Sequence, residues 1–144
     1  MWLYHKRMPN HPKNTKQLPL ENIFYMGVKT RWFNAIKNGK KTVEGRLKKK
    51  FGHIKKGTTL VIRKNPESTN SKNNSQNDTH VLIVVVTDNV KYRSFEEYLL
   101  QEGLARTLPG VRSIEEGVNI YRSFYSEEDE KTHGVSAIHI RLVA

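Results

Sequence analysis

Lys41, Glu44 and Arg46 stand close together in the stretch Lys41-Thr42-Val43-Glu44-Gly45-Arg46, and Glu44 is the lone carboxylate among 13 cations between Lys29 and Lys64. A single acid in such company pairs with Lys41 or Arg46, and pairing lowers its pKa and fixes the cationic heads. In an extended chain Thr42, Glu44 and Arg46 point one way and Lys41, Val43 and Gly45 the other. A strict strand therefore separates Lys41 from its partners unless the chain before it turns the side chain inward. Two chemistries suit the set. It can read a base edge, the carboxylate accepting and the guanidinium donating. It can also hydrolyse, with Glu44 activating water and Lys41 or Arg46 stabilising an oxyanion. A carboxylate held between two cations is a poor base, which ranks recognition above hydrolysis. The bland alternative is an ion pair that only braces a helix-to-strand junction.

The surroundings favour a polyanionic partner. The whole chain of 144 residues carries a net charge of +11, and the segment 29–64 alone carries 13 − 1 = +12. An excess so concentrated makes a field rather than merely keeping the protein soluble. Lys48, Lys49, Lys50, Lys55 and Lys56 fall on a run punctuated by Gly52 and Gly57, which reads as two turns rather than a helix face. Ammonium groups on turns suit phosphate oxygens, and binding through them weakens steeply with salt. Gly39 and Lys40 complete the basic approach to Lys41. Phe51, set inside the lysine run, is the first choice for an exposed base-stacking ring and Trp32 the second; Tyr92, Tyr121 and Tyr125 flank the helices. An acidic protein partner would satisfy the same charge.

Other chemistries are excluded or weak. The chain has no cysteine, so disulfides, thiol nucleophiles and Cys-ligated metal are absent. The six histidines form no His-x-x-x-His pair, so no metal site is expected, and no motif asks for a cofactor. His53 and His139 are the general acid/base candidates. The longest apolar run, Val81 to Val86, is far too short to span a bilayer, and the N-terminus lacks the apolar segment of a secretory signal. An intracellular protein is expected, so the Asn-x-Ser/Thr patterns at Asn73 and Asn77 mark only a polar loop.

One domain is expected over residues 20–144, after an irregular, proline-containing arm at 1–19 and with a polar loop at 65–79. Ile23 to Val28 reads as a strand, followed by a helix capped by Thr30 and ended by Gly39. Thr58 to Lys64 and His80 to Asp88 read as strands. Ser94 opens a helix that Gly103 stops, and the capping box at Ser113 to Glu116 opens another that runs to about Tyr125. Glu127 to Glu130 reads as a solvated loop. Val135 to Val143 alternates, with Ile138, Ile140 and Leu142 on its core side. Strands outnumber helices in this reading and do not alternate with them regularly, which points to an α+β protein: a small β-barrel with helices at its rim.

The stretch Gly39-Lys40-Lys41-Thr42-Val43-Glu44-Gly45-Arg46 resembles the G-x-K-x-x-E-x-R signature of the ASCH domain family, with all four fixed positions matched. Ile54 to Thr58, Tyr92 to Glu97, Tyr121 to Ser126 and Gly134 to Ile138 are similar to later parts of the family in the same order. The resemblance implies a PUA-like β-barrel with inserted helices flanking a cleft. It also implies a role in RNA metabolism or nucleic-acid binding, with the signature residues lining the cleft. A bacterial branch of the family removes the acetyl group from N-acetylated cytidine, using the signature lysine, a threonine three residues later and a glutamate further on. Here Lys41 matches the lysine, Glu44 occupies the threonine position, Thr42 has the right hydroxyl at the wrong spacing, and Glu102, the nearest glutamate, reads as a plain exposed acid on its helix. The expectation is therefore a module for RNA or single-stranded nucleic acid. The alternatives are an amidohydrolase acting on an acylated, modified nucleoside and a metal-independent ribonuclease, either of which would rely on Lys41, Glu44 and Arg46.

Overall fold

The computed structural model describes residues 22–65 and 81–144; the arm at 1–19 and the loop from residue 66 onward, with Asn73 and Asn77, lie outside the described residues. The described chain forms β1 (Ile23–Val28), α1 (Thr30–Lys37), β2 (Val43–Leu47), α2 (Lys48–Phe51), β3 (Thr59–Lys64) and β4 (Val81–Tyr92). It continues through α3 (Phe95–Glu102), α4 (Leu104–Thr107), α5 (Ile114–Arg122), α6 (Glu127–His133) and β5 (Val135–Leu142). The five strands make one sheet in the order β1-β3-β4-β5-β2. β1 and β3 pair in parallel, and every other pair is antiparallel.

β1 and β2 are thus the two edges, and the sheet curls until they face each other. Arg46 on β2 donates from Nη2 to the carbonyl of Gly27 on β1 at 2.8 Å, clasping the gap. The result is the expected α+β, PUA-like barrel left open along one seam. Its inner face buries Met26, Val28, Leu60, Ile62, Val84 and Ile138 against Phe33 and Ile36 of α1. A second core lies on the other side of β2 and β5, where Val43, Val135 and Ala137 meet Phe95, Tyr98 and Leu99 of α3 and Tyr121 of α5. Trp32 packs against both cores and marks their junction. Covered on both faces in its first half, β5 is buried continuously from Val135 to Ile138 and alternates only afterwards.

The serine caps form as expected: Ser94 Oγ accepts from Glu97 N, and Ser113 Oγ from Glu116 N. Several expectations need correction. Thr30 does not cap α1; Lys29 occupies the cap position and makes no side-chain cap bond. Lys48–Phe51 is a single helical turn, not one of two open turns. Helices outnumber strands among the described residues, because single turns of helix are too short to show a hydrophobic period in the sequence. The acidic run from Glu127 is helical, since Ser126 Oγ accepts from Asp129 N and four acids fill the first turn, where the helix dipole favours them. Its Glu130 is buried, accepting from the backbone N of Phe95 at 2.6 Å and from Arg122 at 2.8 Å.

Candidate functional site

The seam between β1 and β2 holds a cavity of about 150 Å³. Its floor is Lys41, Glu44 and Arg46; its walls include Trp32 of α1 and Tyr121, Phe124 and Tyr125 from the end of α5 and beyond. Lys41 reaches this floor because β2 begins only at Val43. Gly39, at φ +83°, takes the left-handed turn that other residues resist, and the amides of Lys40 and Lys41 both bond to the Ala35 carbonyl. The turn rotates Lys41 inward, so strand alternation does not separate it from Glu44.

Lys41 is 2% exposed. Its Nζ donates to the carbonyls of Val43 and Thr107 and lies 3.1 Å from Glu44 Oε1, so all three ammonium protons have acceptors. Burial lowers its pKa, and the Glu44 carboxylate opposes that fall. The other carboxylate oxygen, Oε2, accepts from Arg46 Nε at 2.6 Å. Burial on its own would raise the Glu44 pKa, but the Lys41 and Arg46 cations outweigh it and hold the group below its ordinary value. For Arg46 burial works downward and Glu44 more than compensates, keeping the guanidinium firmly protonated. The pairing expected from one acid among 13 cations is present, and it involves both cations at once.

Two glycines of the cavity lining make close approaches. A Cβ on Gly45 would sit 2.6 Å from the Tyr98 ring, which packs against β2 there. A Cβ on Gly27 would collide with the Asn65 side chain, which lies over the β1 edge and lines the cavity. Behind the wall, Phe95 stacks on Tyr121 with ring centroids 4.3 Å apart and on Tyr125 at 5.4 Å. The hydroxyls of Tyr98 and Tyr121 are 3.0 Å apart, and burial pushes both pKa values up, so both stay protonated. At the rim, Lys29 Nζ sits 4.7 Å above the half-exposed Phe124 ring, and the Arg31 guanidinium 4.5 Å above Trp32.

Of the residues singled out from sequence, Trp32, Lys41, Glu44 and Arg46 line the cavity; Gly39 and Lys40 lie exposed just before it. Lys48, Lys49, Lys50, Lys55 and Lys56 do not line it. Lys48 is half-buried against Gly134, and the other four are exposed. Phe51 is not a free stacking ring: it is half-buried against the barrel core with the Arg46 guanidinium 5.2 Å from its centroid. Glu102 is not a plain exposed helical acid; it is 7% exposed and accepts from Tyr92 Oη at 2.7 Å and Arg106 Nη2 at 2.8 Å, with His139 Nε2 at 3.0 Å. His139 is engaged in that cluster, and His53 lies against the Phe24 ring at 5.3 Å; neither borders the cavity. Sequence reading missed Lys29, Asn65 and Phe124. A usable signal was the i, i+3, i+4 spacing of Tyr121, Phe124 and Tyr125, which puts three rings on one side of a helix end.

A curled, unclosed α+β barrel with helices at its rim has the PUA-like fold. The chain belongs to the ASCH domain family, which matches it over residues 26–144. It is similar to the solved structure of hypothetical protein PH0355, with 39% identity, a TM-score of 0.69, and 84% of this chain and 99% of that one covered. It is also similar to protein PF0455 from Pyrococcus furiosus, with 40% identity, a TM-score of 0.61, and coverage of 84% and 97%. ASCH from Zymomonas mobilis, at 16% identity and a TM-score of 0.52 over 83% of this chain and 67% of that one, shares the fold. No curated protein matches the chain. Among the described residues no helix is long and apolar enough to cross a membrane, and no group of three or more His, Asp or Glu could hold a metal ion.

Proposed function

We propose that this chain is a binding module for single-stranded RNA, engaging it at the open seam between β1 and β2. The observation that carries the reading is the meeting of an aromatic wall and a charged floor in one cavity, the floor coming from the segment that supplies the whole net charge of the protein. Aromatic faces accept unstacked bases, and the cations around the seam accept phosphates. The exposed Lys49, Lys50, Lys55 and Lys56 act at a distance from the cavity, holding backbone without reading sequence.

Hydrolysis is the weaker reading. Lys41 has no free lone pair while its three protons are bonded, and both oxygens of Glu44 are engaged by cations. The hydroxyl nucleophile of the amidohydrolase branch has no counterpart at position 44. Titration of the purified protein with single-stranded RNA, and with duplex RNA of the same sequence, tests the proposal. Preferential binding of the single strand, weakening steeply with salt, is the expected result. Equal competition by polyglutamate would assign the charge to an acidic protein instead. Sustained release of cytidine from N-acetylated cytidine, or cleavage of the RNA, would replace the binding module with an enzyme.

A further inference from the structure

We propose that the outer face of β1, β3, β4 and the end of β5 is a docking surface for a segment of this chain's own N-terminal arm, Met1-Trp2-Leu3-Tyr4, which it holds by apolar contact. Met26, Leu60, Ile62, Leu82 and Val84 point into the inner core, so their strand neighbours point outward. The register sets these in rows: Tyr25 beside Val61, Val61 beside Ile83, and Ile83 beside Val143, whose amide bonds to the Ile83 carbonyl. Ile23 and Val85 flank Thr59 in the next row, which ends at Arg141. Tyr25 is 69% and Val143 57% exposed, and Ile23, Val61, Ile83 and Val85 are half-buried. None of them lines the seam cavity.

Sequence and structure differ at this face. A strand with one solvated face alternates apolar and polar residues, whereas a strand buried on both faces runs apolar throughout. Val81 to Val86 is apolar throughout, and so is Ile23 to Met26. The described helices pack elsewhere, α1 in the inner core and α3 and α5 against β2 and the start of β5. Among the described residues these outward side chains therefore have no layer over them.

Size and charge choose the occupant. The rows extend about 14 Å across the strands and about 13 Å along them, which is short of the roughly 800 Å² that each partner of a standard interface buries. Arg63 and Arg141 stand exposed on the same face, where the described strands place no acid, so a second copy would set like charges against each other. A strand of RNA finds one ring, Tyr25, among aliphatic side chains and little to stack on. The arm fits better. Met1-Trp2-Leu3-Tyr4 has no charged side chain, and four residues span about 13 Å when extended. Trp2 and Tyr4 offer ring faces to the two arginines. Residues 5–22 join this tip to Ile23, at a corner of the face, with a reach of up to roughly 60 Å, so the tip arrives without the entropic cost of recruiting a second molecule. The tip lies outside the described residues and precedes the family match, which starts at residue 26. Once docked it braces β1, the edge that carries Gly27 and Val28 into the cavity lining.

The test places 4-benzoylphenylalanine at Tyr25 of the full chain, where the exposed ring makes the change mild, and maps photo-crosslinks by mass spectrometry. A second probe at the exposed Val143 repeats the reading should the first protein not fold. Intrachain crosslinks concentrated at residues 1–4, and not at residues 5–21 that stand nearer in sequence, are the expected result. Leu3→Asp is expected to lower their yield by about tenfold, as the loss of one buried leucine predicts. An unchanged yield in Leu3→Asp would show that the tether alone brings the arm near, and would overturn docking. Crosslinks between two chains would assign the face to a second copy, and crosslinks to added single-stranded RNA in place of the arm would assign it to nucleic acid. Either of these, or no crosslink at all from both probes, would overturn the proposal while leaving the reading of the seam intact.

Discussion

Glu44 holds two cations together that would otherwise repel each other at close range. Removing its charge leaves the buried Lys41 ammonium without its counter-ion, and the expected cost of Glu44→Gln is about 3–5 kcal/mol, checked as a shift in the urea midpoint. The pH dependence follows with a definite sign. Because the folded pKa of Glu44 is lowered, its contribution to stability is complete above the unfolded carboxylate value of about 4.3 and is lost as pH falls through the folded value. Acid denaturation of the Glu44→Gln variant should therefore show a shallower loss across that window than the wild type. The pairing itself was readable from sequence, because one acid among many bases has few alternatives. The saturation of Lys41 was not, since the Thr107 carbonyl that completes it lies 66 residues away in the chain. Phe51 and Glu102 misled for the same reason: burial is decided by what packs on a residue, and neither Arg46 above Phe51 nor the cluster of Tyr92, Arg106 and His139 around Glu102 is marked by local spacing.

Elements position the site through close approaches at their ends. β2 can lie against α3 only because Gly45 leaves room for the Tyr98 ring, and Tyr98 in turn holds the hydroxyl of Tyr121. Gly45→Ala must displace that ring, with an expected destabilisation of about 1–3 kcal/mol by thermal or chemical denaturation and a weakened ligand response at Trp32. At the far end of the helical layer, Glu130 of α6 caps the first amide of α3 and pairs with Arg122 of α5. Glu130→Ala should cost about 1–3 kcal/mol, without changing any preference between bases. The strands, the serine caps and the glycine stops were readable because each is a local signal. The helix α6 and the single turns α2 and α4 were not, since charge and shortness hide their periodicity. The position of Gly39 was clear, but the inward rotation of Lys41 depends on the pair of hydrogen bonds that the Ala35 carbonyl accepts from the successive amides of Lys40 and Lys41, and had no separate signature.

The curled sheet divides the basic segment into two parts. One part, with Lys29, Arg31, Lys41 and Arg46, surrounds the seam; the other, with Lys49, Lys50, Lys55 and Lys56, lies outside the cavity lining. Such a division assigns them different effects. Neutralising Lys49 and Lys50 together should lower the slope of log affinity against log salt by roughly 0.7 for each phosphate of a single strand that these lysines neutralise, with the order of base preference kept. The concentration of charge was readable from the sequence, and so was a barrel-like α+β fold. That β1 and β2 would be the facing edges was not, because sheet order is set by long-range pairing. The most direct test of an RNA site in this seam is photo-crosslinking of a single-stranded RNA carrying 4-thiouracil, with the attached peptides mapped by mass spectrometry. Crosslinks at Trp32, Tyr121, Phe124 or Tyr125 are the expected result; crosslinks confined to α2 and the Lys55–Lys56 turn, or none from a bound strand, would contradict it.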